Sequence, residues 1–125
     1  MAREIKFRAK SLDGILEYGD LHLRCNHPHI HNLIGAKIYI DTNTIGQFTG
    51  LHDKNGKEIY EGDILRIKEP SGHSSYSLVS FCNKGYYSIE HGINERVIAG
   101  FVNNTIMEVI GNIHDNPELL KGGKL

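Results

Sequence analysis

The sequence predicts a mainly β fold of short strands joined by tight turns. Two stretches, Glu4 to Lys10 and Gly35 to Ile40, alternate between apolar and polar residues, as a half-buried strand does. Turn-forming pairs such as Asp13-Gly14 and Asn55-Gly56 separate the candidate strands. A clear helical signal appears close to the end of the chain. We therefore expect strands along most of the sequence and little helix.

The individual elements follow from these signals in chain order. The first strand lies at 4–10, and the Asp13-Gly14 turn leads into a second strand within 15–23. A third strand at 35–40 ends at the turn-forming residues 41–44. Later strands are expected at 64–68, 76–81, 86–90 and 106–113, while residues 94–101 fit a helical turn or a strand. Asn116 caps a last helical turn that starts with Pro117.

Length and composition indicate a single domain. The chain has 125 residues, of which 39% are hydrophobic, enough for one core, and it shows no internal repeat. No apolar run approaches the roughly 20 residues that cross a bilayer, and the charged first residues are unlike a signal peptide. We therefore expect a cytoplasmic protein without a membrane partner, in which Cys25 and Cys82 are free thiols.

Three blocks of sequence resemble the YopX family, whose members are small proteins encoded mostly by phages and prophages. The blocks run from Arg3 to Ala9, from Thr49 to Ile64, and from Glu108 to Ile113 followed by Asn116 to Leu120. Lys10 stands where the family commonly has an aromatic residue, and His52 stands where it often has a lysine.

The resemblance implies a single domain with three parts. N-terminal strands occupy about 1–47, an SH3-like barrel about 48–116, and a C-terminal turn and tail 117–125. It implies no established activity and no cofactor, so it informs the fold more than the function.

The middle block consists of residue types that tight turns select. Glycine takes positive φ without strain, asparagine tolerates it, and an aspartate can accept a hydrogen bond from the backbone two residues later. We therefore expect this block to shape the fold rather than to bind a ligand. The residues concerned are Gly50, Asp53, Asn55, Gly56, Gly62 and Asp63.

A candidate metal site lies in the histidine-rich segment Cys25, His27, His29 and His31. The spacing of two would direct all four side chains to one face of an extended strand, and zinc prefers cysteine and histidine ligands. However, ligands along one straight strand do not readily surround a tetrahedral ion, and Pro28 favours a surface loop. The sequence therefore favours a histidine-rich loop without stoichiometric zinc.

A carboxylate cluster at Glu58, Glu61 and Asp63 could hold magnesium or act as an acid and base. No histidine or nucleophile accompanies it within the block, and acidic residues beside a glycine turn more often accept backbone hydrogen bonds. The sequence thus offers no catalytic residues, and we expect a protein that is not an enzyme.

Lys6, Arg8 and Lys10 form a candidate basic face. Residues two apart on a strand lie about 7 Å from each other, close to the spacing of phosphates along a nucleic acid. The tyrosines could provide surfaces on which bases stack. Because the formal net charge is −1, we expect no tight nucleic-acid binding at physiological salt.

Taken together, the residues favour a non-enzymatic protein that binds another protein or assembles with itself. The family resemblance implies a phage or prophage accessory protein, whose partner would be a phage or host protein. The alternative is a small nucleic-acid-binding module that uses Lys6, Arg8 and Lys10. A metal-dependent enzyme at Cys25 to His31 is a third, less favoured reading.

Overall fold

Strands form nearly all the regular structure of the described residues. A computed structural model describes residues 5–23, 27–68, 72, 74–82, 85–90, 94–97 and 107–119. The strands are β1 (Phe7–Ser11), β2 (Leu16–His22), β3 (His29–His31), β4 (Lys37–His52), β5 (Glu58–Tyr60), β6 (Asp63–Lys68), β7 (Ser74–Cys82), β8 (Gly85–Glu90), β9 (Asn94–Val97) and β10 (Met107–Asn112). A 3-10 turn follows at Pro117–Leu119. The predictions of a mainly β fold and of a short final helical turn are therefore confirmed.

The chain divides within β4 into two units, Met1–Phe48 and Thr49–Leu125. In the first unit, β2 pairs with β1 and β3, and β4 pairs with β3 and β1, all antiparallel. Each of these strands therefore has a neighbour on both sides. Ala9, Ile30 and Ile40, from β1, β3 and β4, form the buried core of this unit, and Leu21 and Ile45 pack against it.

The second unit contains a five-stranded antiparallel sheet in the order β10-β6-β7-β8-β9. Its core consists of apolar side chains from β5, β6, β7 and β10, each at most 1% exposed. Side chains alternate between the two faces of a strand, so apolar residues spaced by two reach the same core. The core residues are Ile59, Leu65, Ile67, Val79 and Met107. The SH3-like barrel that the family resemblance implies stays a prediction.

Strand β4 is longer than the sequence predicted, because residues 41–44 form a bulge rather than a chain reversal. The pairing of β1 with β4 shifts register here, from Arg8 opposite Gly46 to Lys10 opposite Asp41. The Thr44 hydroxyl donates to the Asp41 carbonyl at 2.6 Å and accepts from the Lys10 N–H at 2.8 Å. The polar side chains at 41–44 therefore make local hydrogen bonds as predicted, but these bonds stabilise extra residues within a continuous strand.

Three hairpin turns have the same construction. The turns begin at Ser11, Asn32 and Asp53, and in each the side-chain oxygen of this first residue accepts the N–H groups of the residues two and four positions later. The N–H of the first turn residue donates to the carbonyl of the fifth residue, and the N–H of the fourth residue donates to the carbonyl of the first. The fourth residue is a glycine with positive φ, as a three-residue hairpin loop requires. These glycines are Gly14, Gly35 and Gly56.

Asp53 connects its turn to a strand 56 residues away in the sequence. One carboxylate oxygen accepts the N–H groups of Asn55 and Lys57 at 2.8 and 2.9 Å, and the other accepts the N–H of Val109 in β10 at 3.0 Å. Asp53 is 3% exposed. Burial raises the pKa of this carboxyl, but the hydrogen bonds from Val109, Lys57 and Asn55 lower the pKa by more, so the carboxylate form is favoured.

The middle block of the sequence therefore makes the backbone geometry that its residue types predict. Gly50, Gly56 and Gly62 have φ of 88°, 83° and 94°. The Thr49 hydroxyl donates to the Ile59 carbonyl at 2.8 Å and accepts the Leu51 N–H, which adds a side-chain link across the same hairpin. That the block shapes the fold rather than binding a ligand stays a prediction.

Among the described residues, no helix has the length and apolar character needed to cross a membrane.

We predict that Asp53→Asn lowers the free energy of unfolding at pH 7 by at least about 2 kcal/mol, because an amide replaces a buried carboxylate that accepts three backbone hydrogen bonds. Asp13→Asn makes the same chemical change at an exposed position and should cost within about 0.5 kcal/mol. Urea denaturation of both variants measures the difference. Equal losses would show that the Asp53 contacts do not hold the unit together.

The same contacts predict an acid-dependent loss of stability. Because the folded pKa of Asp53 is depressed, its contribution is complete above the unfolded pKa of about 3.9 and is lost as pH falls through the folded pKa. Stability of the parent should therefore fall more steeply below about pH 4 than stability of Asp53→Asn. Parallel unfolding curves of the two proteins through this range would contradict the assignment.

Candidate functional site

Strand pairing brings three histidines together on the first unit. His22 at the end of β2 lies opposite His29 at the start of β3, and His31 follows two residues later on the same face of β3. The intervening Ile30 points to the other face and is fully buried in the core. The cluster therefore lies on the side of β3 that faces away from Ile30.

The three rings are in contact with one another. The centroids of His22 and His29 lie 4.8 Å apart with the ring planes nearly parallel, at 5°. The His31 centroid lies 4.5 Å from His22 and 4.9 Å from His29. One ligand nitrogen of each histidine lies within 4.8 Å of the others. Imidazole nitrogens gathered in this way are a ligand set for a transition metal.

His29 is the anchored member of the cluster. It is 6% exposed, whereas His31 is half-buried and His22 is exposed. Its Nδ1 lies 3.0 Å from the His27 carbonyl oxygen. Since a carbonyl can only accept, Nδ1 is the donor in this hydrogen bond. Tyr39 in β4, opposite His29, makes an edge contact with the ring at 6.4 Å.

The surroundings disfavour the protonated form of His31. Desolvation lowers its pKa most, and His22, His29 and Lys37 lower the pKa further because each places positive charge nearby. Asp20, opposite His31 in β2, acts in the other direction. The net shift of the His31 pKa is downward, towards the neutral ring that can bind a metal.

The structure joins only part of the predicted histidine segment. His29 and His31 lie in the cluster, but His27 is exposed and meets the Tyr39 ring at 5.5 Å instead. Cys25 lies outside the described residues. The expectation of a surface loop is corrected at His29 and His31, which form a paired strand. His22 was missed, since only the β2–β3 register shows that it is a neighbour.

The predicted basic face does not form as a row of three exposed cations. Arg8 is 4% exposed, and it lies between Tyr18 of β2 and Gly46 of β4. Lys6 and Lys10 are half-buried, and the Lys6 ammonium lies 5.3 Å from the centre of the Phe48 ring. Arg8 is therefore buried rather than exposed, and weak nucleic-acid binding stays a prediction.

The predicted carboxylate cluster is engaged in local hydrogen bonds. Asp63 is 1% exposed and accepts the Tyr60 N–H at 2.8 Å. Glu58 accepts the Tyr60 hydroxyl at 2.9 Å. Glu61 is half-buried in the turn between β5 and β6. These contacts agree with a turn that is stabilised by its acidic residues.

Two of the hairpin turns expose large apolar side chains. Leu33 and Ile34 in the β3–β4 turn are 91% and 88% exposed, and Leu12 and Ile15 in the β1–β2 turn are 72% and 59% exposed. Successive antiparallel strands reverse direction, so these two turns lie at the same end of the first unit. We call Leu12, Ile15, Leu33 and Ile34 the apolar end.

Comparison with known proteins decides the family. The model of the family described as "YopX protein" matches residues 6–121, nearly the whole chain. The chain belongs to the YopX family. Among curated proteins there is no match. Of the solved structures, the crystal structure of protein EF1440 from Enterococcus faecalis is similar, with 25% sequence identity and a TM-score of 0.59 over 96% of this chain and 100% of that chain.

In this YopX-family chain, the approach of β2 to β3 depends on Gly19. A Cβ atom at this position would lie 2.0 Å from the backbone carbonyl oxygen of His31, and φ is +151°. A side chain therefore cannot be accommodated unless β2 and β3 separate. Because His22 lies on β2 and His29 and His31 lie on β3, Gly19 controls the spacing of the cluster.

We predict that Gly19→Ala lowers the free energy of unfolding by more than about 2 kcal/mol and separates His22 from His29. Gly14→Ala is the matched control, because Gly14 also has positive φ but has no atom within 4 Å of the added Cβ. It should cost about 1 kcal/mol. Denaturant unfolding and nuclear Overhauser contacts between the two rings measure both effects. Ring contacts that survive in Gly19→Ala would contradict the assigned role.

Proposed function

We propose that this YopX-family chain is a phage or prophage accessory protein without catalytic activity, which binds a phage or host protein or a second copy of itself through its apolar end. The observation that carries the proposal is the exposure of Leu33 and Ile34, at 91% and 88%. Scattered apolar residues are ordinary on a surface, but Leu33 and Ile34 are adjacent, and Leu12 and Ile15 lie at the same end of the unit.

The turn that carries Leu33 and Ile34 is held by its own hydrogen bonds. The Asn32 side-chain oxygen accepts the N–H groups of Ile34 and Ala36 at 3.1 and 2.9 Å, and the Gly35 N–H donates to the Asn32 carbonyl. A turn fixed before binding loses less conformational entropy when a partner covers it. The two side chains are thus presented on a rigid backbone, which is the property that an interaction site needs.

The apolar end also has a concave side. An open cavity of about 410 Å³ lies beside the β1–β2 turn, and Leu12 and Ile40 contribute apolar lining while Lys10 and Asp41 add charge at its edge. Apolar surface with charged groups around it is typical of protein interaction sites. Nucleic-acid binding receives no comparable support, because Arg8 is buried.

We predict that the double variant Leu33→Ser/Ile34→Ser loses the association while keeping its fold, since these side chains pack against nothing that the fold needs. Sedimentation equilibrium measures self-association. Quantitative recovery of cross-linked proteins from host cells that carry the prophage measures binding to another protein.

Leu23→Ser is the matched control, because Leu23 is 51% exposed and lies outside the apolar end. The proposal requires that the control associates like the parent while the double variant does not. If both variants associate like the parent in both assays, the apolar end is not the binding surface. Loss of association in both, with unchanged unfolding curves, would contradict a surface that is confined to the apolar end.

A further inference from the structure

We propose that His22, His29 and His31 form a binding site for a divalent transition metal ion, zinc by preference, in which three imidazole nitrogens from two paired strands leave a fourth coordination position open. This site is separate from the apolar end and does not depend on the proposed protein-binding function.

The first support is the geometry of the ligand atoms. The three nitrogens lie within 4.8 Å of one another. In a tetrahedral zinc site, with zinc–nitrogen bonds of 2.0–2.1 Å, ligand nitrogens lie roughly 3.4 Å apart. Rotation of the exposed His22 and half-buried His31 rings about their side-chain bonds closes this difference, while the backbone positions stay fixed by strand pairing. Ligands from two strands surround an ion as ligands from one strand cannot.

The second support is the hydrogen bond from His29 Nδ1 to the His27 carbonyl oxygen at 3.0 Å. Metal-binding histidines commonly donate their second ring N–H to a backbone carbonyl, which fixes the tautomer and the ring orientation. Here the bond places the donated proton on Nδ1 of a buried ring, so Nε2 is the atom through which His29 would bind an ion. His27 thus takes part through its backbone, whereas the sequence offered its side chain.

The identity of the ion follows from the ligand type. Three neutral imidazoles suit zinc, copper and nickel rather than magnesium or calcium, which prefer oxygen. Three protein ligands with one position open to solvent are the number found at catalytic zinc sites, and structural sites use four. The exposed position of His22 leaves room for water or a side chain of another protein as the fourth ligand. The proposal thus departs from the expectation of no stoichiometric zinc, which considered ligands from a single segment.

The test uses the full chain purified without a polyhistidine tag. Isothermal titration with zinc chloride should give one ion per chain with a dissociation constant below about 10 μM. Cobalt chloride should produce the visible absorption of a tetrahedral cobalt ion, and zinc should raise the melting temperature. His22→Ala and His31→Ala should each weaken zinc binding at least about tenfold.

His114→Ala is the control for general histidine binding, because His114 is exposed and lies in the second unit. It should bind zinc like the parent. A zinc dissociation constant more than about 100 times the expected value of about 10 μM would overturn the proposal. Equal zinc binding by the parent and His22→Ala would also overturn it. Loss of zinc in Cys25→Ser and His27→Ala, with binding retained in His22→Ala, would also overturn it and assign the ion to the segment that the sequence singled out.

Discussion

The described strands of the first unit, and the first hairpin of the second, depend on one repeated hydrogen-bonding arrangement at the turns. A side-chain oxygen at the first position satisfies two N–H groups that the reversed chain cannot pair with a neighbouring strand, and a glycine at the fourth position supplies positive φ. The arrangement fixes which residues face each other along the following strands. Since a slip of one residue moves every side chain to the opposite face, the turns decide which residues reach the core.

Ser11, Asn32 and Asp53 begin these turns at intervals of 21 residues, yet the sequence shows no repeat. The reason is that the turn restricts only two of its five positions, and serine, asparagine and aspartate all meet the first restriction. The positions between are free, so the turns carry different surfaces. Two of the three turns carry apolar side chains at these positions. The third turn carries Lys54 and Asn55, and its Asp53 carboxylate accepts a hydrogen bond from the Val109 N–H in β10.

The sequence predicts those parts of the fold that local chemistry determines. Alternation of apolar and polar residues predicted β1 and the first part of β4, and the pairs Asp13-Gly14 and Asn55-Gly56 predicted two turns. Prediction from the sequence failed where the structure depends on a partner strand. The sequence at 41–44 resembles a chain reversal, and only the hydrogen bond from the Lys10 N–H to Thr44 shows that it is a bulge in a continuous strand. His22 was missed for the same reason, because it lies seven residues before His29 and meets it only through strand pairing.

Pairing also explains why the cluster of histidines is a property of the unit rather than of the histidine-rich segment. The turn at Ser11 sets where β2 begins, and Gly19 allows β2 to approach the His31 carbonyl. The resulting register places His22 opposite His29, with Ile30 fixing the face through its burial in the core. Desolvation and the neighbouring His22 and His29 rings lower the pKa of His31, so the neutral form of this ring is favoured. The register that crowds the three rings is therefore the same register that brings three imidazole nitrogens within 4.8 Å of one another, as the proposed metal site requires.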